Sequence, residues 1–312
     1  MTSRARQAWF RATMVDMPSL PSVVLLSLAL AVQVPAALRP DPPKECSNCA
    51  GWNRPHAPFR LFGNSYYVGV AGLSAVLVTS EAGHVLLDGG LPQSAALIDA
   101  NIRALGFRTE DVRLIVVSHT HYDHVGGVAA LQRFTGATVA ASAAGAKALQ
   151  HGGPLADDPQ YGFGERANSF PAVRDVRVVV DGETLRVGPL AVTAHLTPGH
   201  TPGATTWTWR SCEGNRCLDM VYADSLNAVS DDDFKFTAPD ITASFRRSID
   251  TVAGLPCDVM VAVHPGFSRL DDRLAKREAG DADAFIDPGA CRAYAEAART
   301  SLDERITREK AR

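Results

Sequence analysis

The chain has 312 residues, of which 46% are hydrophobic, enough for one large domain or two small ones with a sizeable core. Its 31 Lys and Arg nearly balance 34 Asp and Glu, for a net charge of -3, and no basic stripe carries interleaved aromatics. That balance argues against a nucleic-acid-binding surface and leaves small molecules as the expected partners.

Near the start, Arg4, Arg6 and Arg11 precede the apolar run "LPSVVLLSLALAVQVPAA", with small residues at Val34, Ala36 and Ala37. This is the layout of a secretory signal over residues 1–37. The run is short for a membrane span, and Pro18, Pro21 and Pro35 border or interrupt it. A periplasmic mature chain with no membrane attachment after cleavage is therefore expected. Residues 38–58 are Pro-rich and predict a linker, and residues 59–312 predict the domain.

Six cysteines in an exported chain predict disulfides. Cys212 and Cys217 flank the turn-like "EGNR" and would staple a hairpin, worth about 2 kcal/mol; closing Cys257 to Cys291 would contribute roughly 3 to 4 kcal/mol. Cys46 and Cys49 form C-x-x-C with no strand and helix after it, which favours a local structural role over redox chemistry.

Beyond the linker, short β-rich runs alternate with helical stretches. "SYYVGV", "LSAVLVT" and "HVLLDGG" predict strands, and "PQSAALIDANIRALGF" an amphipathic helix closed by Gly106. "VRLIVVS" is an almost unbroken apolar run, as in a strand buried on both faces. "SHTHYDHVGG" follows at its C-terminal end, where Gly126 and Gly127 are expected to turn the chain tightly into the helix "GVAALQRFTG". A further strand and helix follow, then a long Gly/Pro-rich loop over 151–171, a length usually reserved for functional segments. From Val176 the pattern resumes with strands near 176–180, 184–187 and 190–197, a hairpin at 203–223, a helix near 241–253 and the strand "CDVMVAVH". Asp287 and Pro288 are placed to start a C-terminal helix as N-cap and first residue. Each half thus reads as strands followed by helix, which predicts an α/β fold with a pair of sheets sandwiched between outer helices.

Four metal-type side chains stand in six positions at His119, His121, Asp123 and His124. Zinc takes imidazole nitrogen and carboxylate oxygen, prefers four neighbours, and in catalytic sites keeps one position open. His119 and His121 can share one ion from an extended loop, with His200 in "TPGHTPG" as a third ligand. Asp123 and His124 face another direction, and His264 in "AVHPG" would complete a second site. Asp88 in "LLDGG" and Asp224 are candidates for orienting the histidines from behind.

The H-x-H-x-D-H run at 119–124, His200 in "PGHTPG" and His264 after a hydrophobic strand together resemble the metallo-β-lactamase superfamily. Within it, "YADSL" at 222–226, with Ser225 where another subclass has a ligand cysteine, resembles subclass B-three β-lactamases. "YYVG", "ANIRALGF", "GPLAVTAH", "TTWTWRSC" and "GACRAY" extend the likeness over most of residues 60–300. The resemblance implies an αββα sandwich of two mixed sheets between outer helices, binding two zinc ions. It implies hydrolysis of the β-lactam amide of penicillins, cephalosporins and carbapenems by hydroxide generated on zinc, conferring antibiotic resistance. Asp123 would be both ligand and catalytic orienter of the nucleophile. Ser225, Asn227 and Gln160 would contact substrate, although Asn227 departs from the Ser or Thr usual there. A monomer is expected.

Other polar residues are read more plainly. His56, His84, His151 and His195 are expected to be structural or superficial, Asp231 to Asp233 a solvated turn, and Trp207 and Trp209 packing residues of a strand. Asp224 could instead bridge two metals, as in other hydrolases of this fold. Ser225 has no G-x-S-x-G context that would make it a serine nucleophile.

Overall fold

The structure, a computed structural model, describes residue 8, residues 12–14 and residues 37–311. The signal-peptide reading thus falls almost wholly outside the described residues, among which no helix is long and apolar enough to cross a membrane.

Strands β1 (Phe59–Phe62), β2 (Ser65–Tyr67), β3 (Val76–Val78), β4 (His84–Leu87), β5 (Val112–Val116), β6 (Thr138–Ser142) and β7 (Val176–Val179) form one sheet in chain order. Strands β1 to β4 run antiparallel to one another and β4 to β7 run parallel. A second sheet has the order β12-β11-β10-β9-β8, from β8 (Thr184–Val187), β9 (Leu190–Leu196), β10 (Thr205–Glu213), β11 (Arg216–Ala223) and β12 (Val259–Ala262). Only the β11–β12 pair is parallel there. Both sheets are mixed, as expected.

Period-two alternation shows why they stack. Val76 and Val78 of β3 face Trp207, Met220 and Tyr222 of the second sheet in the central core, while Leu77 between them packs outward with Ile98 and Leu131. Likewise Met220 and Tyr222 of β11 point inward, and Val221 and Ala223 outward against Phe245 and Tyr294. Helices Ser94–Ala104, Val128–Thr135 and Ala143–His151 cover the first sheet; Pro239–Gly254 and Ala290–Lys310 cover the second. The two tryptophans pack as predicted, with their indole N–H groups donating to Val117 O and Ser65 Oγ.

All three disulfides form. Cys212 and Cys217 face each other in register across the β10–β11 hairpin, Cys257 joins Cys291, and Cys46 joins Cys49. Several expectations change. The C-terminal helix begins at Ala290 with Gly289 as its cap, and Asp287 instead accepts the Gly289 N–H and pairs with Arg273. Strand β1 and the helix Leu270–Glu278 were not anticipated. Residues 38–58, read as a linker, lie against the domain, with Cys49 buried beside Val70, Leu73 and Leu91. Gly126 and Gly127 adopt ordinary right-handed helical angles. Close approach is what requires glycine: a Cβ on Gly127 would lie 2.3 Å from Gly89 O, and one on Gly126 2.4 Å from Pro92.

Candidate metal centre

The centre lies where strands from both sheets end. β5 delivers His119 and His121, which caps the single turn Tyr122–Val125; that turn carries Asp123 and His124. The β9–β10 loop brings His200, the end of β11 brings Asp224 and Ser225, and β12 is followed by His264. Thr205 N–H donates to Ser118 O at 2.7 Å, pinning the β10 end to the histidine loop. All of these side chains are buried except His264, which keeps 23% of its side chain exposed.

Two groupings of donor atoms result. His119, His121 and His200 each offer an atom to a cluster no more than 4.8 Å across, and so do His119, Asp123 and His124. His264 joins the latter region: its Nε2 is 3.3 Å from His124 Nε2 and 3.5 Å from Asp123 Oδ2, and those two atoms are also 3.3 Å apart. Structure and sequence therefore bring together the six residues expected as ligands.

The outer faces of the rings decide which nitrogen is free. His119 Nδ1 meets Asp224 Oδ1 at 2.7 Å, His121 Nε2 meets Asp158 Oδ1 at 3.2 Å, His200 Nδ1 meets Asn227 O at 2.8 Å, and His264 Nδ1 meets Gly72 O at 3.1 Å. His124 Nδ1 lies 3.7 Å from Asp88 Oδ2. Acceptors within hydrogen-bond distance behind four of the rings, those of His119, His121, His200 and His264, favour the proton on the outer nitrogen and the other lone pair turned inward, the usual support of metal-bound histidine. His119 Nε2 is buried with no protein partner, as a ligand atom would be.

Charge follows from burial. Burial, then the neighbouring imidazoles His124, His200 and His121, hold His119 well below the usual histidine range. The same causes bring His200 down to about 3 and His264 to about 4, leaving neutral rings available for ligation. Burial alone would raise Asp123, but His124, His264 and His121 around it more than offset that and keep it ionised. For His124, burial is outweighed by Asp123 and Asp88, and its affinity for a proton rises. Burial pushes Asp224 well above the usual carboxylate range, and its Oδ1 stands 2.7 Å from His119 Nδ1. A cation beside Nε2 would favour the proton on Nδ1 and the ionised form of Asp224. This donor set suits zinc, whose imidazole and carboxylate preferences it matches.

Both expected orienting residues, Asp88 and Asp224, stand behind the histidines. Asp88, in a left-handed conformation (φ 60°), accepts the Ser118 N–H at 2.7 Å, the Ser118 hydroxyl at 2.6 Å and the Tyr222 hydroxyl at 2.9 Å. Sequence reading missed Asp158 and Tyr294. The latter's hydroxyl donates to Asp224 O and accepts the Leu226 N–H, clamping the segment that carries Ser225. Ser225 Oγ is itself buried without a partner. Gln160 sits beside Asp158, whose carboxylate accepts its N–H at 2.8 Å, and Asn227 is half-buried. His195 bonds Thr208 Oγ1 on the β9–β10 surface, and His56 packs against Phe59 and Tyr67. Asp231 is more than a solvated turn: it accepts the N–H groups of Gly162, Asp233 and Phe234, and its own N–H donates to Pro159 O.

The family described as Metallo-beta-lactamase superfamily matches residues 68–264. The solved Rm3 metallo-beta-lactamase is 56% identical, with a TM-score of 0.83 over 86% of this chain and 100% of that one. A subclass B3 metallo-beta-lactamase isolated from a soil metagenome library is 48% identical, with a TM-score of 0.80 over 83% of this chain and 99% of that one. A hydroxyacylglutathione hydrolase of Anaeromyxobacter dehalogenans (strain 2CP-C) is 32% identical over 134 residues, 43% of this chain and 40% of that protein. The chain thus spans well under half the length of the curated relatives it matches. Fold, buried histidine centre and full-length likeness to solved enzymes lead to one conclusion: the chain belongs to the metallo-β-lactamase superfamily and, within it, resembles subclass B3.

Proposed function

We propose that the protein is an exported di-zinc β-lactamase that opens the β-lactam amide of penicillins, cephalosporins and carbapenems, conferring resistance to these antibiotics. The observation that carries this reading is the cluster of His119, His121, Asp123, His124 and His200, with His264 against His124 and Asp123, inside a chain that matches solved metallo-β-lactamases along their full length. His119, His121 and His200 hold one ion in this reading, and Asp123, His124 and His264 the other. Zinc bound there would lower the pKa of a coordinated water from about 15.7 to about 7 and polarise a carbonyl. Asp123, kept ionised by the imidazoles around it, accepts a hydrogen bond from the attacking water and orients it toward the amide carbon. Ser225 offers an unpaired buried hydroxyl to the substrate carboxylate, with Asn227 beside it and Gln160 on the facing loop. Asp224 engages His119 Nδ1, which favours a supporting role over a metal bridge. The three disulfides suit an oxidising compartment, in keeping with export to the periplasm.

The test is hydrolysis of a carbapenem by the purified mature protein, followed by loss of β-lactam absorbance. Turnover abolished by a chelator and restored by zinc is the expected result. No turnover from protein carrying two zinc ions would sink the substrate assignment and direct attention to thioesters and lactones.

A further inference from the structure

His264 is the most exposed of the six candidate ligands, and it is held from outside the sandwich. The Cys46–Cys49 disulfide closes the entry to the one-turn helix Cys49–Trp52, whose first residue is 4% exposed in a pocket of Val70, Leu73 and Leu91. So short a helix, with no side-chain cap, has little stability of its own. The disulfide and the burial of Cys49 therefore fix it. Two further ties hold the segment to the helix Ser94–Ala104 region: Lys44 and Gln93 exchange hydrogen bonds through the Lys44 backbone, and Ser94 Oγ donates to Asn53 Oδ1.

This strap touches His264 in two ways. The Trp52 ring lies 5.3 Å from the His264 ring, centroid to centroid, tilted by 46°. Trp52 O and Arg54 O accept the N–H groups of Gly72 and Ala71, each at 3.0 Å. The Gly72 carbonyl is the acceptor for His264 Nδ1. No side chain fits at Gly72, because a Cβ would lie 2.4 Å from Trp52 Cδ1 and 2.7 Å from its Cα. One residue thus packs against the His264 imidazole and also sets the carbonyl that fixes its outer nitrogen.

We propose that Trp52, locked in place by the Cys46–Cys49 turn, is a positioning residue for His264 and sets the cation affinity of the Asp123, His124 and His264 group. The proposal rests on the metal-centre reading above. It makes an N-terminal disulfide, remote in sequence from every candidate ligand, part of the support of one metal position and not of the other.

The experiment is a zinc titration of the chelator-treated mature protein against a chromophoric competitor. Parent protein must take two equivalents, and His264→Ala marks which equivalent belongs to its group; a parent that takes fewer overturns the metal reading itself. Trp52→Ala and the paired Cys46→Ser, Cys49→Ser variant should each weaken that same equivalent by about 10- to 100-fold while the other is unchanged. Trp52→Phe, which keeps an aromatic face, should recover most of the loss. The paired Cys212→Ser, Cys217→Ser control should bind both equivalents as the parent does. Parent-like binding of both equivalents by Trp52→Ala, or equal weakening of both, would overturn the proposal. If Trp52→Ala fails to fold, the Cys46→Ser, Cys49→Ser variant carries the same test.

Discussion

Asp224→Asn tests whether the buried carboxylate behind His119 tunes the metal centre. The wild-type contact is 2.7 Å, with both side chains at most 1% exposed, and the Asp224 backbone is fixed independently by Thr206 Oγ1 and the Tyr294 hydroxyl. Asparagine keeps the shape and the clamp but loses the charge. It can also present its NH2 to Nδ1, which forces the proton onto Nε2 and removes the lone pair a metal needs. Supporting groups of this kind are worth about 10- to 100-fold in metal affinity, or about 1.4 to 2.7 kcal/mol. Loss of a charged hydrogen bond, at roughly 1.5 to 3 kcal/mol, predicts the same range independently. The assay is a competitive zinc titration of folded variant and parent, with far-ultraviolet circular dichroism to establish that both are folded. The equivalent held by His119, His121 and His200 should weaken by that factor. A folded variant that binds this equivalent within twofold of the parent would refute the reasoning, since it would show that neither charge nor tautomer behind His119 matters.

Three other outcomes follow from the structure. Replacing Cys257 and Cys291 by serine opens a loop of sequence separation 34, worth about 3.8 kcal/mol in the chain-entropy model; differential scanning calorimetry should show a melting point roughly 6 °C lower, and an unchanged one would refute the tether. Asp231→Ala removes the carboxylate that accepts the Gly162 N–H and leaves the backbone bond from residue 231 to Pro159 O, so steady-state kinetics on a β-lactam should show a roughly fivefold higher KM, the equivalent of about 1 kcal/mol, with kcat little altered; an unchanged KM would mean that the contact does not shape the cleft. His195→Ala should leave two zinc equivalents by elemental analysis, because the His195 ring bonds Thr208 Oγ1 on the β9–β10 surface; loss of an equivalent would overturn the ligand assignment.

Much of the centre was legible because metal ligation demands rare residue types at restrictive spacing. His119, His121, Asp123 and His124 announce themselves within six positions, and the Pro and Gly turns around His200 and His264 mark strand ends. Strands and helices were legible for a similar reason, since burial on one face or two imposes a period. Asp158 had no such signal. It is one of two adjacent aspartates in a polar loop, and only the folding of that loop over His121 distinguishes it from its exposed neighbour Asp157. Asp231 likewise looks like any member of an acidic run until tertiary contact gives its carboxylate three N–H donors. The misread glycines teach the converse. Gly126 and Gly127 invited a conformational explanation, whereas the backbone angles are ordinary and the requirement comes from Pro92 and Gly89 across the turn. A sequence shows that a small residue is present, but not whether φ or a neighbouring segment requires it.

The join between scaffold and chemistry lies at Asp88. Its carboxylate takes the Ser118 N–H and hydroxyl just before His119, takes the Tyr222 hydroxyl from the opposite sheet, and stands behind His124. One buried side chain therefore ties both sheets of the sandwich to the loop that carries four of the six donors. Burial pushes its proton affinity up, and His124 and the Ser118 and Tyr222 donors pull it back, so the carboxylate depends on the same partners that it organises. The donor atoms of the centre come from three separate strand ends and loops, with sequence gaps between them too wide for local structure to set their distances. Outer-shell acceptors such as Asp88, Asp224 and the Gly72 carbonyl convert that dispersed set into a fixed one. Catalysis that depends on a nucleophile held within a few tenths of an ångström requires this rigidity. It follows that the shape of the sandwich, rather than the histidine run alone, accounts for the placement of the centre.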